Sequence, residues 1–208
     1  MHTDDLRSAD EWAVRASVAA VTKATPDDLG RPTPCSAWTL GDLLAHMTAQ
    51  HRGFAAAARG DGADLEHWRV HPLDADPVKA YVDAADDVLE AFAGRDVLER
   101  TFALPELGPG AAFPGAQAIG FHFIDYVVHT WDVARSLDLP FELRDDLAGD
   151  ALRIASAVPG GDHRLQPGSA FRPALPAPEN ASPLDRILTA LGRSSSWLGP
   201  DQSMPLTL

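Results

Sequence analysis

The stretch "GFHFIDYVVHTWDVARSLD", residues 120–138, carries Phe121, Phe123, Ile124, Val127, Val128, Trp131 and Val133, the composition of a helix buried in a core. Threaded among them are His122, Asp125, His129 and Asp132, four groups that are costly to bury without partners. On a helical wheel the four fall within a sector of about 80° on one side. A solvated face would be wider and would carry several Lys, Arg or Glu. No Lys or Glu occurs between 115 and 137.

Working outward, the remaining periodicity is also helical. Residues 8–24 predict a helix, with Trp12, Ala16, Ala19 and Ala20 at helical spacing and Asp10 and Glu11 near its start, where the helix dipole favours acids. Prolines and a glycine make 25–38 a loop. Thr39 is an N-cap and Asp42 completes a capping-box pattern, so a second helix runs to about Arg59 and stops at Gly60. Residues 77–93 open on Pro77 and repeat Val78, Tyr81, Val82, Ala85, Leu89 and Phe92 as a third helix. Residues 95–114 read as a loop or short hairpin, and 115–137 is the fourth helix. A shorter helix over 143–158, an extended Pro/Gly-rich arm over 159–182 and a capped helix over 182–193 complete the chain. The expected fold is all-α: a four-helix bundle over 1–140 with a helical and extended C-terminal extension over 141–208.

Composition narrows the function. The chain has 208 residues and a formal net charge of −13, with no basic run to neutralise phosphates, which argues against nucleic-acid and anionic-membrane partners. One cysteine, Cys35, excludes an internal disulfide framework and a thiolate-rich zinc site. The acidic N-terminus lacks a signal-peptide core and no apolar run is long enough to span a bilayer, so a cytoplasmic location is expected.

Asp125 and His129 are spaced i and i+4, so adjacent turns can present a carboxylate oxygen and an imidazole nitrogen to one ion. A third donor must come from another helix. His46, in "LLAHMTAQ", is a polar residue in a second apolar pattern. His46, Asp125 and His129 would form a two-histidine, one-carboxylate set with positions open for water or substrate. The ordinary alternatives are a hydrogen-bonded Asp–His pair and a satisfied core histidine. His122, one turn before Asp125, is a candidate acid–base group, fourth ligand or outer hydrogen-bond donor. Asp132 either accepts from His129 or pairs with an arginine, Arg135 being near in sequence. Gln50 lines the pocket or lies on the surface. Cys35 reads as a small buried hydrophobe, and Trp38 and Trp131 as packing beside the site. His51, His67, His71 and His163 sit in polar or loop surroundings and need no special role.

"TPCSAWTLGDLLAHM" (33–47) and the stretch 120–138 resemble the two motifs of DinB-like metalloenzymes, especially the mycothiol-dependent maleylpyruvate isomerase N-terminal-like group. "ASPLDRILTALGR" (181–193) is similar to the ending of an actinobacterial subfamily of metal-binding proteins. The resemblance implies an up-down-down-up four-helix bundle holding one divalent metal, zinc or nickel, with His46, Asp125 and His129 as ligands. In the isomerase the carboxylate is a glutamate; the aspartate here keeps the charge and shortens the reach. The isomerase also has a C-terminal domain that helps bind its thiol cofactor. Residues 141–208 are too short and too differently patterned to be that domain, so the isomerase activity is not carried over.

The resulting expectation is a metal-dependent thiol transferase of the mycothiol type. A bound divalent metal lowers the pKa of a small thiol, and His122 or a water handles protons against a small electrophile. A metal-dependent hydrolase, a non-catalytic metal- or ligand-binding bundle and a purely structural hydrogen-bond network are the alternatives. The expected partners are a small-molecule thiol and an electrophile, with a homodimer allowed.

Overall fold

Thr39 opens α2 (Leu40–Arg59) by a reciprocal cap: its hydroxyl accepts from the Asp42 N–H at 3.2 Å, and Asp42 accepts from the Thr39 N–H at 3.0 Å. Gly60 ends the helix in the left-handed conformation, φ 95°. α1 spans Thr3–Val21, α3 Pro77–Phe92, α4 Gly115–Ser136, α5 Asp145–Ala157 and α6 Pro183–Ala190. A short antiparallel hairpin, β1 (Thr101–Ala103) and β2 (Ala112–Pro114), joins α3 to α4 with Phe102 opposite Phe113. The computed structural model of the chain describes residues 3–35, 38–166, 171–197 and 199. Outside them lie Ser36 and Ala37 of the first motif, arm residues 167–170, Leu198, residues 200–208 and the side chain of His163.

Cross-helix contacts set the directions. Arg59, at the end of α2, bonds Asp87 near the end of α3 at 2.7 Å, so these two helices run parallel. Asp10 of α1 meets His122 of α4, and Leu6 packs beside Gly120, so α1 and α4 also run parallel. Tyr81 near the start of α3 bonds Ser17 near the end of α1 at 2.6 Å, and Tyr126 of α4 donates to the Met47 carbonyl of α2 at 2.5 Å. Ser17 is late on α1 and Tyr81 early on α3, so the two pairs are opposed, which is the up-down-down-up bundle. α5 and α6 pack together, and Ala151, Ala155, Ile187, Leu188 and Leu191 share one buried cluster with Leu43, Leu44, Met47, Phe123, Tyr126 and Trp131. A second cluster, around Phe54, Trp68, Val88, Phe92, Phe102 and Ile119, fills the other end. No helix among the described residues is long and apolar enough to cross a membrane.

α1 corrects the sequence reading in phase and length. It starts at Thr3, and its buried face is Leu6, Ala9, Asp10, Ala13, Val14, Ser17, Ala20 and Val21, while Trp12 and Ala16 are half-buried and Ala19 is exposed. Asp10 is therefore an inward-facing residue in the helix body, fully buried, rather than a dipole partner at its start.

Gly53 of α2 shows how closely the turn around Trp68 is packed. A Cβ there would lie 2.3 Å from the Trp68 ring, which is itself 4% exposed and held by a 2.8 Å bond from its indole N–H to the Gly62 carbonyl. Gly53→Ala gains about 1 kcal/mol of helix propensity. It loses about 1–3 kcal/mol to overpacking. The rigid ring decides the sign: urea denaturation should show a less stable variant.

Candidate metal centre

The antiparallel packing of α2 against α4 brings His46 across from one turn of α4. One donor atom each from His46, Asp125 and His129 lie within 4.8 Å of one another. His129 is 2% exposed, while Asp125 keeps a 16% exposed side chain, so this group opens to solvent on the Asp125 side. The Trp38 ring covers His46 at 4.6 Å between centroids, and the His46 and His129 rings meet edge to face at 5.3 Å.

Protons decide what such a group can hold. His129 Nδ1 lies 3.0 Å from Asp132 Oδ2, so Asp132 orients the ring and turns Nε2 toward the site. Burial works to raise the Asp132 pKa, but the Arg193 charge and the bonds from His129 and Arg193 outweigh it and hold the carboxyl low. His129 Nε2 faces Asp125 Oδ1 at 3.4 Å. Burial, with the His129 ring adding to it, pushes His46 down to about 4, so it is neutral at pH 7 and offers a lone pair. Among the described residues His46 has no hydrogen-bond partner. Two imidazoles and a carboxylate converging from two facing helices form a donor set that suits a divalent cation.

Two further groups feel the Asp125 charge. Glu106, in the 3-10 turn of the hairpin (Pro105–Leu107), accepts from Gln50 Nε2 at 2.6 Å. Burial raises its pKa, the Gln50 bond opposes this and the Asp125 charge adds to it. Gln50 is 6% exposed, so it does not lie on the surface. Cys35 is pushed up to about 11 by burial, against the lowering effect of Arg193, and so stays a thiol at neutral pH.

His122 is not brought to this opening. It is fully buried one layer below, where Nδ1 meets Asp10 Oδ1 at 2.7 Å and Nε2 meets His51 Nδ1 at 3.2 Å. Both ring nitrogens are engaged, which corrects the expectation of an acid–base group beside the metal. His51 is also corrected: it is fully buried, stacked on Tyr126 at 4.1 Å between centroids, and burial drives its pKa well below the usual imidazole range. Asp132 pairs with Arg193 at 3.2 Å rather than with Arg135, which donates instead to the Trp197 carbonyl at 2.9 Å.

Sequence reasoning missed Asp10, His51, Glu106 and Arg193. Only His51 left a usable signal, because a short step along α2 from His46 and two turns back along α4 from His129 reach His51 and His122 together.

Comparison with known proteins agrees with this architecture. Residues 11–134, more than half of the chain, match the mycothiol maleylpyruvate isomerase N-terminal domain. Uncharacterized proteins of two Mycobacterium tuberculosis strains are each 32% identical over 195 residues, covering 91% of this chain and 98% of their own. The crystal structure of a mycothiol-dependent maleylpyruvate isomerase superposes with a TM-score of 0.57 at 12% identity, and a mutant of that enzyme with 0.59 at 11%. Each covers 76% of this chain and 69% of the isomerase, and at that identity the likeness speaks for the fold. With the sequence match and the shared bundle together, the chain belongs to the mycothiol maleylpyruvate isomerase N-terminal domain family.

Proposed function

We propose that the chain binds one divalent metal, zinc first and nickel second, through His46, Asp125 and His129, and transfers a small thiol of the mycothiol kind to a small electrophile. The observation that carries the metal half is the convergence of three donor atoms from two facing helices. The thiol half is supported by membership of a family whose name carries mycothiol. When bound, the ion supplies the positive charge that lowers the pKa of a thiol sulfur beside it.

The chain's own residues do the rest. Asp132 retains the Nδ1 proton of His129 and keeps Nε2 turned to the site. Trp38 shields His46 from water, and the partly exposed Asp125 marks the side from which a thiol arrives. Glu106, bonded to Gln50 and with its carboxyl raised by burial, is the proposed acceptor of the thiol proton. His122, bonded to Asp10 and His51, acts from below by positioning α4 against α1 and α2.

The test uses protein made without a histidine tag. Metal analysis should find stoichiometric zinc or nickel, and mycothiol with a generic electrophile should give conjugate faster than buffer alone. Chelation and His46→Ala should each remove that rate. Equal rates for His46→Ala and wild type defeat the transferase. Absence of metal, with melting unchanged by chelator, defeats the metal site and leaves a structural hydrogen-bond network.

A further inference from the structure

α6 ends in a Schellman turn that has a consequence at the other end of the side-chain network. Gly192 sits at φ 79°, its N–H bonds the Thr189 carbonyl at 3.1 Å, and the Arg193 N–H bonds the Leu188 carbonyl at 2.8 Å. A Cβ on Gly192 would lie 2.6 Å from the Arg172 Cβ, so space and backbone both demand glycine. The turn drives Arg193 back into the bundle, where it is 3% exposed.

There its Nη2 lies 3.2 Å from Asp132 Oδ2, the oxygen that also accepts from His129 Nδ1. Nη1 donates to the Leu191 carbonyl at 3.0 Å, and the guanidinium carbon sits 5.5 Å from the Phe171 ring centre. These contacts hold the guanidinium from the C-terminal side while Asp132 meets it from α4. A buried guanidinium without a carboxylate would be severely penalised, so the pairing with Asp132 is a condition of docking this segment. The carboxylate it uses stands directly behind His129.

We propose that Arg193 is a positioning residue of the metal centre. It fixes the Asp132 carboxylate, which holds the His129 Nδ1 proton and turns Nε2 toward Asp125 and His46. Docking of residues 171–197 and metal affinity are thereby coupled, and the coupling is reciprocal. This inference rests on reading His46, Asp125 and His129 as a divalent-metal site.

Zinc affinity of the full chain, measured by competition with a chromophoric chelator, tests it. Arg193→Met should weaken binding by about ten- to a hundred-fold, the range for loss of an outer partner of a metal ligand. Arg193→Lys should recover part of that loss, and adding Arg193→Met to Asp132→Asn should cost nothing more. Nitrogen NMR of metal-free protein supplies a readout that a merely structural role would not move: His129 should be protonated at Nδ1 in the wild type and a tautomer mixture in Arg193→Met. In wild-type protein, zinc should slow amide exchange across α6 and its terminal turn.

Equal zinc affinity of wild type and Arg193→Met, or an unchanged His129 tautomer, overturns the inference. If Arg193→Met does not fold, Arg193→Lys and the wild-type exchange measurement decide, and zinc-independent exchange overturns it. A wild type that binds no zinc defeats the metal reading, while the tautomer comparison on metal-free protein still decides whether Arg193 positions His129.

Discussion

Zinc is expected to stabilise the wild-type chain by about 3–4 kcal/mol at a free concentration a hundred to a thousand times its Kd. The His129→Ala variant should gain nothing measurable from zinc. The metal-free variant will itself be less stable, because a side chain 2% exposed is removed and Asp132 loses one of its two partners. The diagnostic quantity is therefore the zinc increment and not the absolute stability. His46→Ala offers the cleaner background, since among the described residues no hydrogen bond is lost with that ring. It should cost the metal-free protein less than His129→Ala while erasing the same increment. Urea denaturation of the three proteins in chelator and in excess zinc measures both quantities. An increment that survives in His129→Ala and His46→Ala would place the ion elsewhere, and none in the wild type would remove the metal site.

What the sequence made legible follows from the range of the forces involved. Thr39 with Asp42, Gly60, and Pro77 are local signals, because capping and backbone conformation involve only a few neighbouring residues. They place α2 and the start of α3 within a residue of the observed bounds. The trio His46, Asp125 and His129 was legible because two members share one helix at i and i+4 and the third stands out in an apolar helix. Asp10 was lost when α1 was phased on Trp12, Ala16, Ala19 and Ala20, whereas tertiary packing buries the stripe through Ala9, Ala13 and Val14. Arg193 had no local signal at all. A charged residue after a helix-ending glycine is an ordinary surface pattern, and only the Schellman turn with its carboxylate 61 positions earlier makes it internal. Glu106 belongs to a hairpin turn whose placement beside Gln50 depends on the crossing from α3 to α4, which periodicity does not encode.

Asp10→Ala should cost about 1–3 kcal/mol, the range for leaving a buried polar group without its hydrogen-bond partner. Asp10 and His122 are both fully buried, and their 2.7 Å contact is the end of a chain that continues through His51 to the face of Tyr126. Truncation would leave His122 Nδ1 without a partner in a region where Asp10 Oδ2 and His51 Nε2 already have none, so no neighbouring group can take over. Asp10→Asn keeps an acceptor in nearly the same place and should stay within about 1 kcal/mol of wild type at pH 7. The pH dependence separates hydrogen bonding from charge. Burial raises the Asp10 pKa above its ordinary 3.8, with His122 opposing. A carboxyl with a raised folded-state pKa contributes stability that is fully present below 3.8 and is lost as pH rises through the folded value. The Asn variant cannot ionise, so its stability relative to wild type should improve from pH 4 toward pH 7. Urea midpoints of the three proteins across that interval carry the test: an Asn variant that falls as far as Ala at pH 7 would mean that the ionised carboxylate, rather than the hydrogen bond, holds α1 to α4.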